Sequence, residues 1–265
     1  MTKAAKKTSK RPESGAKSRK TAGSKPTAKR ASPGPERNFT PALCFIGEPL
    51  PDVWGMSTRE RLVRQFAREG ITDIVELDRT AERNSPVIML RANAVIDQPL
   101  IPVLARRPNL ALQDPDTGAI VAISTDCAQA TPAAQVLETG AEPNPGLKLL
   151  VRSPADLGAA FWKGLRKREV PYATIITPTT LKATEWRMFM GTYKGATDFV
   201  TKHVWPRPAY HVTRRIASTS ITPNMVTTVG AICVVLAFWL FLEGHYLTGL
   251  IAAWMMTFLD TVDGK

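Results

Sequence analysis

Thr222-Pro223-Asn224 opens the stretch that decides the architecture. It leads into residues 225–242 (MVTTVGAICVVLAFWLFL), a Glu243-Gly244-His245 turn, and residues 246–259 (YLTGLIAAWMMTFL). The first run holds 18 residues without a charge, enough for a transmembrane candidate. The second holds 14 uncharged residues. At 1.5 Å per residue that is only about 21 Å of a hydrocarbon core roughly 30 Å thick. Continuing the helix through Asp260 removes the deficit and places carboxylates at membrane depth. A helical hairpin in a soluble core is the alternative. Two adjacent uncharged runs joined by three residues read instead as a membrane hairpin over residues 225–259.

The segment just upstream is basic and aromatic: Lys194, Lys202, Trp205, Arg207, Tyr210, Arg214 and Arg215. Positive residues beside a span favour the cytoplasmic side, and Trp and Tyr suit the interface. Residues 211–217 are expected to form a short amphipathic helix on the membrane surface. Thr222 then serves as N-cap and Pro223 as first helical residue.

Further toward the N-terminus the composition is that of an α/β domain, expected over residues 39–190. Residues 42–46 (ALCFI) read as a buried strand ending at Gly47. Ser57-Thr58-Arg59-Glu60 is a capping box opening a helix, with Leu62, Val63 and Phe66 on one face and Gly70 as C-cap. Residues 71–77, 87–90, 110–112, 120–123, 147–151 and 172–177 supply further apolar runs, with Asp114-Pro115-Asp116-Thr117-Gly118 as a loop. Ser153-Pro154-Ala155-Asp156 is expected to cap a helix running to Leu165-Arg166-Lys167-Arg168, and residues 180–193 to form another. This alternation predicts a mostly parallel, covered sheet.

Residues 1–38 carry twelve Lys/Arg against Glu13 and Glu36, so nearly all of the net charge of +12 lies there. With no aromatic and almost no aliphatic residue, this tail is expected to be disordered. The basic pI therefore reports a tail, and nucleic acid is not an expected partner. Cys44, Cys127 and Cys233 are far apart and odd in number, which argues against a disulfide framework or structural zinc. His203, His211 and His245 lack metal-site spacing.

Asp260 and Asp263 stand at i and i+3, on one helical face, followed by Gly264. Carboxylates at the end of an apolar helix are costly and usually functional, and oxygen-only ligands favour Mg²⁺. On spacing alone, a solvated helix end with Gly264 as C-cap fits equally well.

Leu259-Asp260-Thr261-Val262-Asp263-Gly264-Lys265 resembles the opening of the CDP-alcohol phosphotransferase signature, D-x-x-D-G-x-x-A-R followed by G-x-x-x-D-x-x-x-D. Thr222-Pro223-Asn224-Met225-Val226-Thr227 resembles that family's T-P-N-x-V-T entry to its first span. The order of features matches over residues 192–265. The resemblance implies the first two helices of a six-helix membrane domain (191–265 here). Asp260 and Asp263 would hold Mg²⁺ or Mn²⁺, Gly264 would admit the nucleotide, and Asn224 and Thr227 would contact it. It implies transfer of a phosphatidyl or related group from a CDP-alcohol, such as CDP-diacylglycerol, to a hydroxyl acceptor, releasing CMP in phospholipid biosynthesis. The protein would be integral to the inner or plasma membrane with a cytoplasmic N-terminal domain; a homodimer is left open. The chain stops at Lys265, inside the motif, so the general base is expected beyond it and the chain alone is expected to be an inactive fragment.

Trp54-Gly55-Met56-Ser57 leading into Glu60-Arg61-Leu62, with Ala67-Arg68-Glu69-Gly70-Ile71-Thr72-Asp73-Ile74, is similar to the first βαβ unit of sugar-phosphate nucleotidyltransferases. Gly47-Glu48-Pro49-Leu50-Pro51-Asp52 replaces that family's G-x-G-x-R loop, and Asn93 stands where an acidic metal ligand belongs. The resemblance therefore implies a degenerate, inactive nucleotidyltransferase-like α/β domain. A membrane-anchored, non-catalytic nucleotide-binding or regulatory protein is the second functional class that the sequence admits.

Overall fold

The computed structural model describes residues 40–157, 160–162, 167–193 and 198–263. The expected disorder of residues 1–38 lies outside them. The α/β region is built on a five-stranded sheet of β1 (Ala42–Ile46), β2 (Val87–Arg91), β4 (Leu110–Gln113), β5 (Ile120–Thr125) and β6 (Leu150–Arg152), ordered β1-β2-β5-β4-β6. A separate pair joins β3 (Ala94–Ile96) to β9 (Ala173–Ile175). Alternation along β1 sends Leu43 to one apolar layer, with Leu62 and Phe66 of α1 (Thr58–Ala67) and Leu104 of α2 (Ile101–Arg106). Ala42, Cys44 and Ile46 go to the other layer, under Ala133, Ala134 and Leu137 of α3 (Ala130–Thr139). The sheet is covered on both faces, as expected.

It is mixed, however, and not mostly parallel. Only β1–β2 and β4–β6 run parallel; β2–β5 and β4–β5 are antiparallel. For β4–β5 the reason lies in the 114–118 loop, too short for a crossover and able only to reverse the chain. Asp114 N donates to Ala119 O (2.9 Å), and buried Asp114 accepts from Asp116 N (3.0 Å) and Thr174 Oγ1 (2.9 Å).

The helix expected after Ser153 is a single turn, Pro154–Leu157. Its cap forms, with Asp156 Oδ2 accepting from Ser153 N and Oγ at 2.9 Å. These bonds, from the backbone first and then the hydroxyl, hold its carboxyl below the ordinary carboxylate range. The chain then enters β7 (Ala160–Trp162), paired antiparallel with β8 (Lys167–Glu169). Gly158 and Gly164 each cost a helix about 1 kcal/mol relative to Ala, leaving no uninterrupted helical stretch. Helix α3 has no counterpart in the sequence reading. Its signal was Ala130, Ala133, Ala134 and Leu137 at helical spacing before Gly140.

The C-terminal region consists of α4 (Leu181–Gly191), α5 (Phe199–His203), α6 (Pro206–Ala217), α7 (Pro223–Leu242) and α8 (Tyr246–Asp263). Helix α6 begins earlier than expected and buries Pro206, Ala209 and Tyr210 on one face, leaving Arg207, His211 and Arg215 exposed. The expected cap on α7 is present, with Thr222 accepting from Met225 N at 3.3 Å. The α7–α8 turn closes through Gly244 at φ +82°, and His245 N donates to Leu240 O at 2.8 Å. A Cβ on Gly249 would lie 2.6 Å from the Phe241 ring, so glycine is what lets that ring cover the start of α8.

Among the described residues, only α7 is long and apolar enough to cross a membrane. It is also largely unburied, with Ile232, Val235, Phe238 and Leu242 each more than 60% exposed. Helix α8 continues through Asp263 as expected, and its 18 residues span about 27 Å.

Candidate active site

The antiparallel hairpin brings the start of α7 to the end of α8. Thr227 Oγ1 lies 2.7 Å from Asp263 Oδ2 and 3.1 Å from Pro223 O. A hydroxyl has one proton to donate, and the carboxylate is the stronger acceptor. Two residues from separate sequence motifs, 36 positions apart, are therefore in direct contact. Asn224 is exposed on the first turn of α7, its carbonyl accepting from Thr228 Oγ1 at 2.8 Å. Asp260 is exposed one helical turn before half-buried Asp263, while Thr261 and Val262 between them face inward. Gly264 lies outside the described residues.

Beside Asp263 a cavity of about 390 Å³ opens between the α/β region and the helices. Its wall includes Asp263, Val262, Pro223, Thr213 and, from the α/β side, Trp54 and Arg61. That volume is within the range of small-ligand sites. Sequence reasoning singled out neither Arg61 as a site residue nor this junction, because residues so far apart in sequence meet only through the packing of α4 and α6.

The junction is built by the loop after β1. Just after residues 47–52, the segment that stands in place of a phosphate-cradling loop, the chain makes a tight turn, with Val53 N donating to Met56 O at 2.9 Å and Trp54 and Gly55 at φ +55° and +70°. Trp54 enters an aromatic cluster with Phe189 and Tyr210 (centroids 6.1 and 5.5 Å), and its backbone N–H donates to Glu185 Oε1 at 3.3 Å. Glu185, 3% exposed, pairs through Oε2 with Arg214 Nε of α6 at 2.8 Å. Burial pushes the Tyr210 phenol up, and nearby Glu185 adds to the shift. Asn93 exchanges bonds with Ile176: its side chain donates to Ile176 O (3.3 Å), and its carbonyl accepts from Ile176 N (2.8 Å). It ties β-structure together.

The hairpin and the Thr227–Asp263 contact lie within one family match. Residues 220–265 match the CDP-alcohol phosphatidyltransferase family model. The match covers both the Thr222-Pro223-Asn224 and Asp260–Gly264 motifs. It points to a transferase of the CDP-alcohol phosphotransferase type and to phosphatidyl transfer in lipid biosynthesis, with a CDP-alcohol and an alcohol acceptor as substrates. With α7, it points weakly to membrane association. It does not reach the α/β region, so nothing in it supports the nucleotidyltransferase resemblance, and it gives no support to a non-catalytic anchored protein. No curated relative matches the chain.

Proposed function

We propose that residues 191–265 begin a membrane phosphotransferase domain, with Asp260, Asp263, Thr227 and Asn224 facing a CDP-alcohol. The observation that carries this reading is the Thr227–Asp263 hydrogen bond inside the matched segment. Two carboxylates one turn apart, one exposed and one half-buried, fit a hard divalent cation that takes the rest of its shell from water and substrate phosphate. Among the described residues no third acidic, His or Cys side chain joins them. Mg²⁺ or Mn²⁺, when bound, would neutralise the pyrophosphate and the departing CMP.

The chain's own residues have separate tasks. Asp260 and Asp263 hold the cation, while Thr227 fixes the Asp263 rotamer by occupying Oδ2. Asn224 offers its amide to the nucleotide from the open end of α7, and Gly264 leaves room for it. No general base is assigned among the described residues. Residues 39–190 are read as an α/β domain without nucleotidyl transfer of its own, held on the cytoplasmic side. The test is CDP binding to the detergent-solubilised chain. Binding by the wild-type chain that requires Mg²⁺ or Mn²⁺, and that is lost or strongly weakened in Asp263→Asn at the same metal concentration, is the expected result. Metal-independent binding, or none, overturns the reading.

A further inference from the structure

Two residues that line the cavity beside Asp263 each carry a buried polar atom with nothing to bond. Arg61 Nε and Thr213 Oγ1 are both buried and have no hydrogen-bond partner, although they come from different parts of the chain, α1 and α6. Buried polar atoms in native proteins nearly always find partners, and two such orphans on residues lining one cavity call for a ligand that satisfies both. Among the described residues no carboxylate pairs with Arg61, whereas Arg64 on the next turn pairs with Glu60. Desolvation lowers the Arg61 guanidinium's pKa, yet an arginine stays charged. A guanidinium fork and a hydroxyl form a phosphate-binding pair.

The geometry points to a phosphate-ester site in this cavity, held by Arg61 and Thr213. The α/β region thus supplies a binding residue to the membrane domain. This deepens the reading above, because Asp263 shares the cavity. A carboxylate repels an anion, so the ligand lies with its phosphate at Arg61 and Thr213. Its cation-linked or hydroxyl-bearing portion then lies toward Asp263. Two sources carry that chemistry: the phosphates of the CDP-alcohol, or a phosphate on the acceptor.

The test compares the wild-type chain with Arg61→Gln and Arg61→Lys in detergent micelles. Two probes are titrated: CDP with Mg²⁺, and inorganic phosphate without metal. Thermal midpoints are recorded alongside. Arg61→Gln should weaken at least one probe tenfold or more at an unchanged midpoint. Arg61→Lys, which keeps charge but loses the fork, should fall between. Weakening confined to CDP assigns the site to the nucleotide; weakening confined to phosphate assigns it to the acceptor. The phosphate arm needs no metal, so it reads this site even if metal-dependent CDP binding fails. Should Arg61→Gln not fold, threefold or greater weakening in Arg61→Lys is the expected result. Affinities within twofold of wild type for both probes in every folded variant, or no binding of either by wild type, overturn the proposal.

Discussion

At the scale of the residue, Asp263 has the most to lose. Asp263→Asn keeps size and polarity, so the midpoint of unfolding should hardly move, while in a catalytically competent, full-length form of the protein loss of charge stabilisation of several kcal/mol should lower CMP release by roughly three orders of magnitude. Near-normal turnover in matched membranes would refute the metal role. Thr227→Val removes one hydrogen bond to that carboxylate, worth about 1 kcal/mol, and should cost about tenfold at most. Gly55 makes a different demand. At φ +70° it sits where a Cβ would come 3.3 Å from Ala217 O and Ser218 Cα. Gly55→Ala combines left-handed strain of about 1–2 kcal/mol with a push against the end of α6. A measurable drop in thermal midpoint is expected, whereas Gly70→Ala, with open space around its Cβ, should show the backbone strain alone.

At the scale of the element, the Glu185–Arg214 pair fastens α4 to α6 asymmetrically. Glu185 is buried and Arg214 is 39% exposed, so removing the arginine strands a buried carboxylate, whereas neutralising the glutamate leaves a cation that can reach water. Arg214→Ala should therefore destabilise by about 2–3 kcal/mol and Glu185→Gln by about 1. Denaturation in micelles that gives the opposite order would refute this asymmetry. Elements were legible in the sequence where one local rule governs them. Ser57 and Thr222 cap their helices through bonds within three residues, and the 42–46 run is apolar on both faces. Strand direction was not legible, because it depends on which neighbour a strand finds. The 153–168 segment failed because a sound cap says nothing about helix length. Asp263 and Thr227 could be picked out from their motifs, but their bond needed the hairpin. Arg61 and Thr213 had no sequence signal at all, since their significance is an unfilled space between distant elements.

At the scale of the whole molecule, the exposed apolar surface of α7 sets the behaviour of the chain. Side chains such as Val235 and Leu242, each 68% exposed, would each contribute on the order of 1.5–3 kcal/mol on leaving water. The chain should sediment with membranes, resist extraction by high salt, and dissolve in detergent. Recovery as a detergent-free soluble monomer would contradict the membrane reading. The tail's positive charge adds attraction to anionic lipid, but salt screens that part and not the apolar part.

On the membrane reading proposed above, the seat of Gly55 on the end of α6 has a consequence for how high the α/β region would stand above the lipid. A backbone turn with no spare room for a Cβ before the last carbonyl of α6, with Trp54 wedged among Phe189 and Tyr210, acts as a fixed bracket. A fluorescent donor on α3 and an acceptor in the head groups should then report one narrow stand-off distance. In Gly55→Ala that distance should broaden, as the bracket loosens and the region begins to sway.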